Sequence, residues 1–233
     1  MRLKIARAAG HFGGKMPLMD SGGAYPAERA AALSGVPLST VHYWARKELL
    51  VPSVSATRTK LWSYADLLEL RAIDWLRKDK EGYVHGADIP RSRMPEIRAA
   101  KEKLRLEFDV RIFHEGVVMV AVSRAGEVII AEPGTVPYDS SGQVLTDYVD
   151  LIKPDPRKIH LLSPRPLVRI VPGKLSGAPH ILATRVETQA LHSLKLSGYD
   201  RESILALYPY LTRAAVRDAL DLEDEITGLA KAA

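Results

Sequence analysis

The segment YPAERAAALSGVPLSTVHYWARKELLVPSVSATRTKLWS, residues 25–63, contains two short helical patterns followed by a strand pattern. In the first pattern, alanine and leucine recur at helical spacing, and Gly35 stands where a left-handed cap ends a helix. In the second, apolar residues at Val41 and Trp44 predict a helix over residues 38–48. Two helices joined by so short a turn are typical of domains that place their second helix in the major groove of DNA.

The residues after these helices predict a wing and a third helix. Residues 53–60 are rich in serine, threonine and basic side chains and lead into an apolar pair, which favours a short β-hairpin. Ser63 and Asp66 have the spacing of a capping box, and a broad apolar face follows them. We expect this helix to end before Gly82, where the character of the sequence changes.

The rest of the chain predicts a small α+β region and then a helical bundle. An alternation of basic and acidic residues indicates an exposed helix over 92–107. Apolar β-branched runs predict strands over 109–113, 117–122, 127–131 and 167–171, the second and third forming a β-hairpin. Residues 132–166 are expected to form a loop-rich connector, which the apolar stretch from Val144 to Ile152 interrupts. Three helices follow, and Asp200 and Thr212 are the expected N-caps of the last two.

These patterns define four segments of an α+β protein. Residues 1–24 are a flexible basic tail, 25–82 a winged helix-turn-helix, 83–166 a central α+β region with its connector, and 167–233 a helix-turn-helix-like bundle. The net charge of +5 divides among them unevenly, with +6 on residues 1–80, −1 on 81–166 and 0 on 167–233. The basic surplus therefore coincides with the predicted DNA-binding end.

Composition excludes several kinds of chemistry. The chain has no cysteine, so disulfides, thiol catalysis and thiolate-bound metals are ruled out. Its seven histidines include no pair at the spacing of a helical zinc site. No apolar run approaches the roughly 20 residues of a membrane span, and no signal peptide is evident. We expect a cytoplasmic protein that is not an enzyme and holds no metal or cofactor.

Side chains suited to DNA lie opposite the apolar face of the second helix and on the wing. Those of the helix are Ser39, Thr40, His42, Tyr43 and Arg46, all able to form hydrogen bonds with bases or phosphates. On the wing, Arg58 and Lys60 would contact phosphates, which makes affinity depend on salt through counterion release.

Five blocks of this region resemble, in order, the MerR-like winged helix-turn-helix domains. The blocks are Ala30-Ala31-Leu33, Gly35-Val36, Thr40-Val41-His42-Tyr43-Trp44, Leu49-Leu50-Val51-Pro52 and Lys60-Leu61-Trp62-Ser63, within residues 25–78. The resemblance implies operator DNA as a partner and adds Trp62, on the wing, to the candidate DNA-binding residues. Pro37 replaces the usual capping serine, His42 replaces the usual arginine, and the long dimerisation helix of the family does not follow.

The last segment resembles a small helical domain found in antitoxins. Residues 167–226 carry the pattern, for example Arg169-Ile170-Val171-Pro172-Gly173 and Tyr208-Pro209-Tyr210-Leu211-Thr212. Members of that family are similar to VapB-type antitoxins, which accompany PIN-like ribonuclease toxins. Five acidic residues crowd its final helix, so we interpret that helix as a protein interface rather than a DNA reader.

Together these features predict an antitoxin of a type II toxin–antitoxin pair, which binds and neutralises a PIN-like ribonuclease toxin and represses its own operon. The resemblance implies a homodimer or a higher hetero-oligomer with the toxin, and no membrane partner. The first alternative is a MerR-like transcriptional regulator whose central region senses a ligand. The second is a metal-dependent nucleic-acid-processing enzyme that uses the acidic residues of the final helix.

Overall fold

A computed structural model of the chain describes residues 23–79, 91–98, 119–122, 128–131, 148–152 and 158–232. Short antiparallel sheets and helices alternate along these residues, which confirms the predicted α+β class. Two predicted features lie outside the described residues. They are the basic tail, apart from its last two residues, and the strand at 109–113.

The first two helices form the expected helix-turn-helix. Helix α1 spans Ala27–Ser34 and α2 spans Leu38–Arg46. Gly35 ends α1 with a φ of 69°, a left-handed conformation that glycine adopts without the steric cost of a Cβ. The prediction that α2 extends to residue 48 was wrong, because the helix ends at Arg46 and Glu48 has a φ of 53°, outside the helical region.

A two-stranded sheet and a third helix complete this unit. Strand β1, Tyr25–Pro26, pairs antiparallel with β2, Leu61–Trp62. The wing closes through Ser55 and Leu61, whose backbones exchange hydrogen bonds of 3.1 and 2.9 Å. Helix α3 spans Tyr64–Leu76 and begins with the predicted capping box, so the third helix is confirmed. It ends well before residue 82.

The described part of the central region is a three-stranded antiparallel sheet. Its strands are β3, Met119–Val122, β4, Val128–Ala131, and β5, Tyr148–Asp150, in the order β4-β3-β5. The β3–β4 pairing confirms the predicted hairpin. Residues 94–98 are helical, within the helix expected over 92–107.

The C-terminal segment is a short hairpin followed by three helices. Strands β6, Val168–Arg169, and β7, His180–Ile181, pair antiparallel. The helices are α4, Thr188–Leu196, α5, Arg201–Leu207, and α6, Arg213–Ala232. Asp200 and Thr212 accept hydrogen bonds from the first-turn amides of Ser203 and Ala215, which confirms both predicted caps.

Helix α6 connects the C-terminal bundle to the helix-turn-helix. It packs against α4 and α5 of its own segment and also against α1 of the helix-turn-helix. Buried side chains from α1, α3, the central strands and α6 therefore belong to one continuous core. The helix-turn-helix and the C-terminal bundle are consequently held in a defined arrangement.

Candidate nucleic-acid interface

Helix α2 buries one face and leaves the other open. Val41 and Trp44 are buried against the core, while Tyr43 is 47% exposed. Of the other predicted helix residues, Ser39 and Arg46 are exposed and Thr40 and His42 are half-buried. The structure thus brings these five side chains to an accessible helix surface, as a recognition helix requires.

The start of α2 is also suited to a phosphate. Pro37 precedes the helix, and no side chain caps it with a hydrogen bond. Amide groups in the first turn of an uncapped helix can donate to an anion, with support from the helix dipole. The amides of Thr40 and Val41 donate to the Pro37 carbonyl oxygen, so those of Leu38 and Ser39 are the ones that could bind an anion.

The wing supplies the basic groups. Arg58 is exposed and Lys60 is half-buried, both on the loop closed by the Ser55–Leu61 bridge. Ser55 braces this loop, because its hydroxyl donates to the Thr59 carbonyl oxygen at 2.8 Å. An ordered wing holds its cations in place, which favours phosphate contacts beside a recognition helix.

Trp62 does not belong to the exposed set. Its side chain is 0% exposed, in the strand that pairs with β1. An indole with no accessible surface packs the core and does not contact DNA. Its inclusion among the DNA-binding residues is corrected accordingly, and Trp44, at 4% exposed, has the same structural role.

A buried carboxylate fixes the base of the wing to α3. Oδ2 of Asp66 accepts hydrogen bonds from the Ser53 amide (2.9 Å), the Ser53 hydroxyl (2.8 Å) and the Ser63 amide (2.8 Å). Asp66 is 0% exposed. Ser53 begins the wing segment and Ser63 follows its last strand, so one oxygen joins both ends of the wing to α3.

Comparison with known families agrees with this geometry. Residues 25–83 match the model described as MerR HTH family regulatory protein. This part of the chain is similar to MerR-family helix-turn-helix domains and is called the MerR-family domain below. This match supports a DNA-binding transcriptional regulator.

The remaining comparisons are less informative about function. Residues 168–222 match the model described as protein of unknown function (DUF433). No curated protein and no solved structure matches the chain. Within the described residues, no helix has both the length and the apolar character needed to cross a membrane.

An ion pair connects the MerR-family domain to the C-terminal bundle. Arg29 on α1 donates from Nη1 to Glu223 Oε2 at 2.9 Å and from Nη2 to Glu223 Oε1 at 2.7 Å. The hydroxyl of Thr188, at the start of α4, donates to the same carboxylate. The Glu223 side chain is 3% exposed and that of Arg29 is 14% exposed. Sequence reasoning missed this pair because its members stand 194 positions apart.

Two further bonds join the same units beside the first strand. The Tyr25 hydroxyl donates to the Gly177 carbonyl oxygen at 2.6 Å, and the Ala24 amide donates to the Ser176 carbonyl oxygen at 3.2 Å. Gly177 has a φ of 69°, and a Cβ there would collide with the Tyr25 hydroxyl. This close approach requires glycine.

The acidic residues of α6 are not the free surface that the sequence suggested. Asp218 is buried and accepts from the Leu167 amide at 3.1 Å, and Glu223 is buried in the ion pair with Arg29. Glu225 pairs with Arg165, and Asp224 pairs with Lys195. Among the described residues no three acidic or histidine side chains gather into a possible metal site. Most of these carboxylates hold α6 to its neighbours.

Arg71 on α3 connects the helix-turn-helix to the central region. Its side chain is buried, and its Nε and Nη2 atoms donate to the carbonyl oxygens of Ser34 and Leu33 at the end of α1. The other three bonds go to the carbonyl oxygens of Leu151, Ile152 and Ile159, at 2.5–2.7 Å. All five guanidinium N–H groups are thereby used. Burial lowers the pKa of Arg71 to about 10, so the group stays charged at neutral pH.

Proposed function

We propose that this protein is the antitoxin of a type II toxin–antitoxin pair, which represses its own operon through the MerR-family domain and binds a PIN-like ribonuclease toxin. It is not itself an enzyme in this proposal, and it acts as a homodimer or as a hetero-oligomer with the toxin. The observation that carries the DNA-binding half is the open face of α2 beside an ordered basic wing.

The toxin-binding half is supported by the C-terminal segment. It resembles the small helical domains of antitoxins, and its helices form a bundle in which Asp200 and Thr212 cap α5 and α6. Contact between α1 and α6 packs the C-terminal bundle against the helix-turn-helix, which supports a protein that carries both surfaces together. A repressor that also captures a protein needs both surfaces at once, and this arrangement leaves α2 uncovered.

DNA binding is tested with a gel shift on the promoter of the protein's own gene. His42→Ala and Lys60→Ala should each weaken the shift relative to the wild type, because they remove a base-facing group and a phosphate-facing cation. Lys231→Ala, at the far end of α6, serves as a control that removes an equal charge. If all three variants bind like the wild type, α2 and the wing are not the DNA-binding surface.

Toxin binding is tested by co-expression with the product of the adjacent gene. We expect the two proteins to purify as one complex and the growth defect caused by the neighbour alone to be relieved. Light scattering of each sample gives the oligomeric state. Absence of both complex and relief would contradict the antitoxin role while leaving the DNA-binding role intact.

One observation favours a second candidate, a MerR-like regulator whose central region, residues 83–160, senses a ligand. Arg71 donates hydrogen bonds to carbonyl oxygens of both α1 and residues 151–159. A rearrangement of the central region would therefore move Arg71 and, through it, the end of α1 in the helix-turn-helix. Such a regulator would change its operator affinity when a small molecule binds. A compound that shifts both thermal stability and operator affinity would favour this candidate, whereas a stable complex with the neighbouring protein favours the first.

A further inference from the structure

The C-terminal segment contacts the MerR-family domain at the two elements that support its DNA-binding surfaces. Strand β1 pairs antiparallel with β2, the strand that closes the wing. Helix α1 follows β1 directly along the chain and packs against α2. A displacement of β1 or α1 would therefore move the wing or the recognition helix.

On the side of β1, the contact is made by a turn with a left-handed backbone. Leu175, Ser176 and Gly177 have φ values of 52°, 49° and 69°. Residues with a Cβ disfavour this conformation, and it persists only where the surrounding structure fixes it. The Ser176 carbonyl oxygen accepts from the Ala24 amide, and the Gly177 carbonyl oxygen accepts from the Tyr25 hydroxyl. The unfavourable backbone is thus located at the residues that hold β1.

On the side of α1, the contact is the ion pair between Arg29 and Glu223. Arg29 donates hydrogen bonds of 2.7 and 2.9 Å to the two carboxylate oxygens, and Thr188 at the start of α4 donates to the same group. Two bonds from one guanidinium to one carboxylate determine orientation as well as distance. Glu223, on α6, therefore fixes α1 to the bundle in one orientation.

We propose that Tyr25 and Glu223 are positioning residues for operator recognition, because they hold β1 and α1 on the C-terminal bundle and so fix the wing relative to α2. This inference rests on the DNA-binding half of the proposed function, and it gives the bundle a part in that function. Sequence-specific binding needs base contacts and phosphate contacts at the same time, so it depends on the placement of α2 relative to the wing. Non-specific binding depends on the cations and tolerates a change in that placement.

The test compares two full-length variants with a matched control. Glu223→Gln keeps the size of the side chain but loses at least one hydrogen bond from Arg29, because an amide nitrogen does not accept. Tyr25→Phe removes only the hydroxyl that binds Gly177. Asp224→Asn is the control for Glu223→Gln, because it changes the net charge by the same amount on the neighbouring residue while its partners lie on α4, within the bundle.

Fluorescence anisotropy measures the affinity of each protein for a duplex from the promoter of its own gene and for an unrelated duplex of equal length. The temperature is kept below the melting transition of every variant, and near-UV circular dichroism checks the fold. The ratio of the two affinities should fall by about threefold or more in Glu223→Gln and in Tyr25→Phe, and stay within about twofold of wild type in Asp224→Asn. An effect of charge alone would instead raise the affinity of both charge variants for both duplexes.

The outcomes separate this inference from the proposed function. If the wild type does not prefer the promoter duplex, specific DNA binding and the inference both fail. If the wild type prefers it, a variant that retains the preference overturns the inference for its residue, while DNA binding stands. If both affinities fall by the same factor, the contact only stabilises the fold, and if Asp224→Asn also loses the preference, the effect does not depend on the contact with α1. Either of these results overturns the inference as well.

Discussion

Replacing Glu223 by alanine removes the carboxylate that joins α1 to the start of α4. The Arg29 guanidinium then remains nearly buried without its two charge-assisted hydrogen bonds of 2.7 and 2.9 Å. Breaking one partner of a buried ion pair costs about 3–5 kcal/mol. For a chain of this size each kcal/mol lowers the melting temperature by about 2–4 °C, so the melting temperature should fall by about 6–20 °C.

Urea and thermal unfolding followed by circular dichroism measure this loss, and a double-mutant cycle attributes it to the pair. The cycle compares Arg29→Met and Glu223→Leu singly with the double variant, in which both charges are gone and the Thr188 hydroxyl still has the Pro179 carbonyl oxygen at 3.1 Å. The double variant should therefore be more stable than the sum of the single losses implies, by at least about 1 kcal/mol. The exposed pair of Glu202 and Arg213 is the control, and Glu202→Ala should change stability by no more than about 1 kcal/mol.

A loss of less than about 1 kcal/mol in Glu223→Ala, or two single losses that add without coupling, would contradict a stabilising role for this ion pair. Either result would mean that the bundle and the MerR-family domain are not held together by this ion pair.

Three other changes test separate features of the fold and the site. Arg71→Lys replaces five hydrogen-bond donors by three, so at least two buried carbonyl oxygens lose their partner. The free energy of unfolding, measured in urea titrations, should fall by about 2–6 kcal/mol. A loss below about 1 kcal/mol would contradict a stabilising role for these hydrogen bonds. Burial raises the pKa of Tyr25 and Tyr64, whereas tyrosines of the unfolded chain ionise near pH 10. The unfolded state therefore binds fewer protons above about pH 10, so stability should decline as pH rises beyond that point, and less steeply in Tyr25→Phe; equal slopes in urea midpoints from pH 8 to 11 would argue against it. Asp66→Ala should loosen the wing and lower operator affinity in a gel shift, because Ser53 and Ser63 lose their shared acceptor; unchanged affinity would show that the wing does not need this anchor.

Local signals in the sequence predicted the helices well. Gly35, the Ser63–Asp66 capping box, Asp200 and Thr212 all act within a few residues of their own position, and each ends or begins a helix as expected. Their effect depends on backbone geometry that the neighbouring residues determine. Such features can be read from one sequence.

Long-range contacts could not be predicted in this way. A buried acid and a solvated acid look alike in a sequence, so Glu223 was interpreted as part of an exposed cluster although Arg29 covers it. The burial of Trp62 could not be predicted for the same reason. Its position beside the wing residues suggests DNA contact, whereas its strand pairs with β1 and its indole is buried in the core. In both cases the deciding partner lies on another element of the fold.

DNA binding by α2 and the wing is tested most sharply by the salt dependence of operator affinity, measured by fluorescence anisotropy on the promoter of the protein's own gene. Each cation that contacts a phosphate contributes about 0.9 to the slope of log affinity against log salt. We expect Arg58→Ala and Lys60→Ala each to reduce that slope by about 1, with Lys231→Ala leaving it unchanged. Slopes equal to that of the wild type in both wing variants would contradict the assignment of α2 and the wing as the DNA-binding surface.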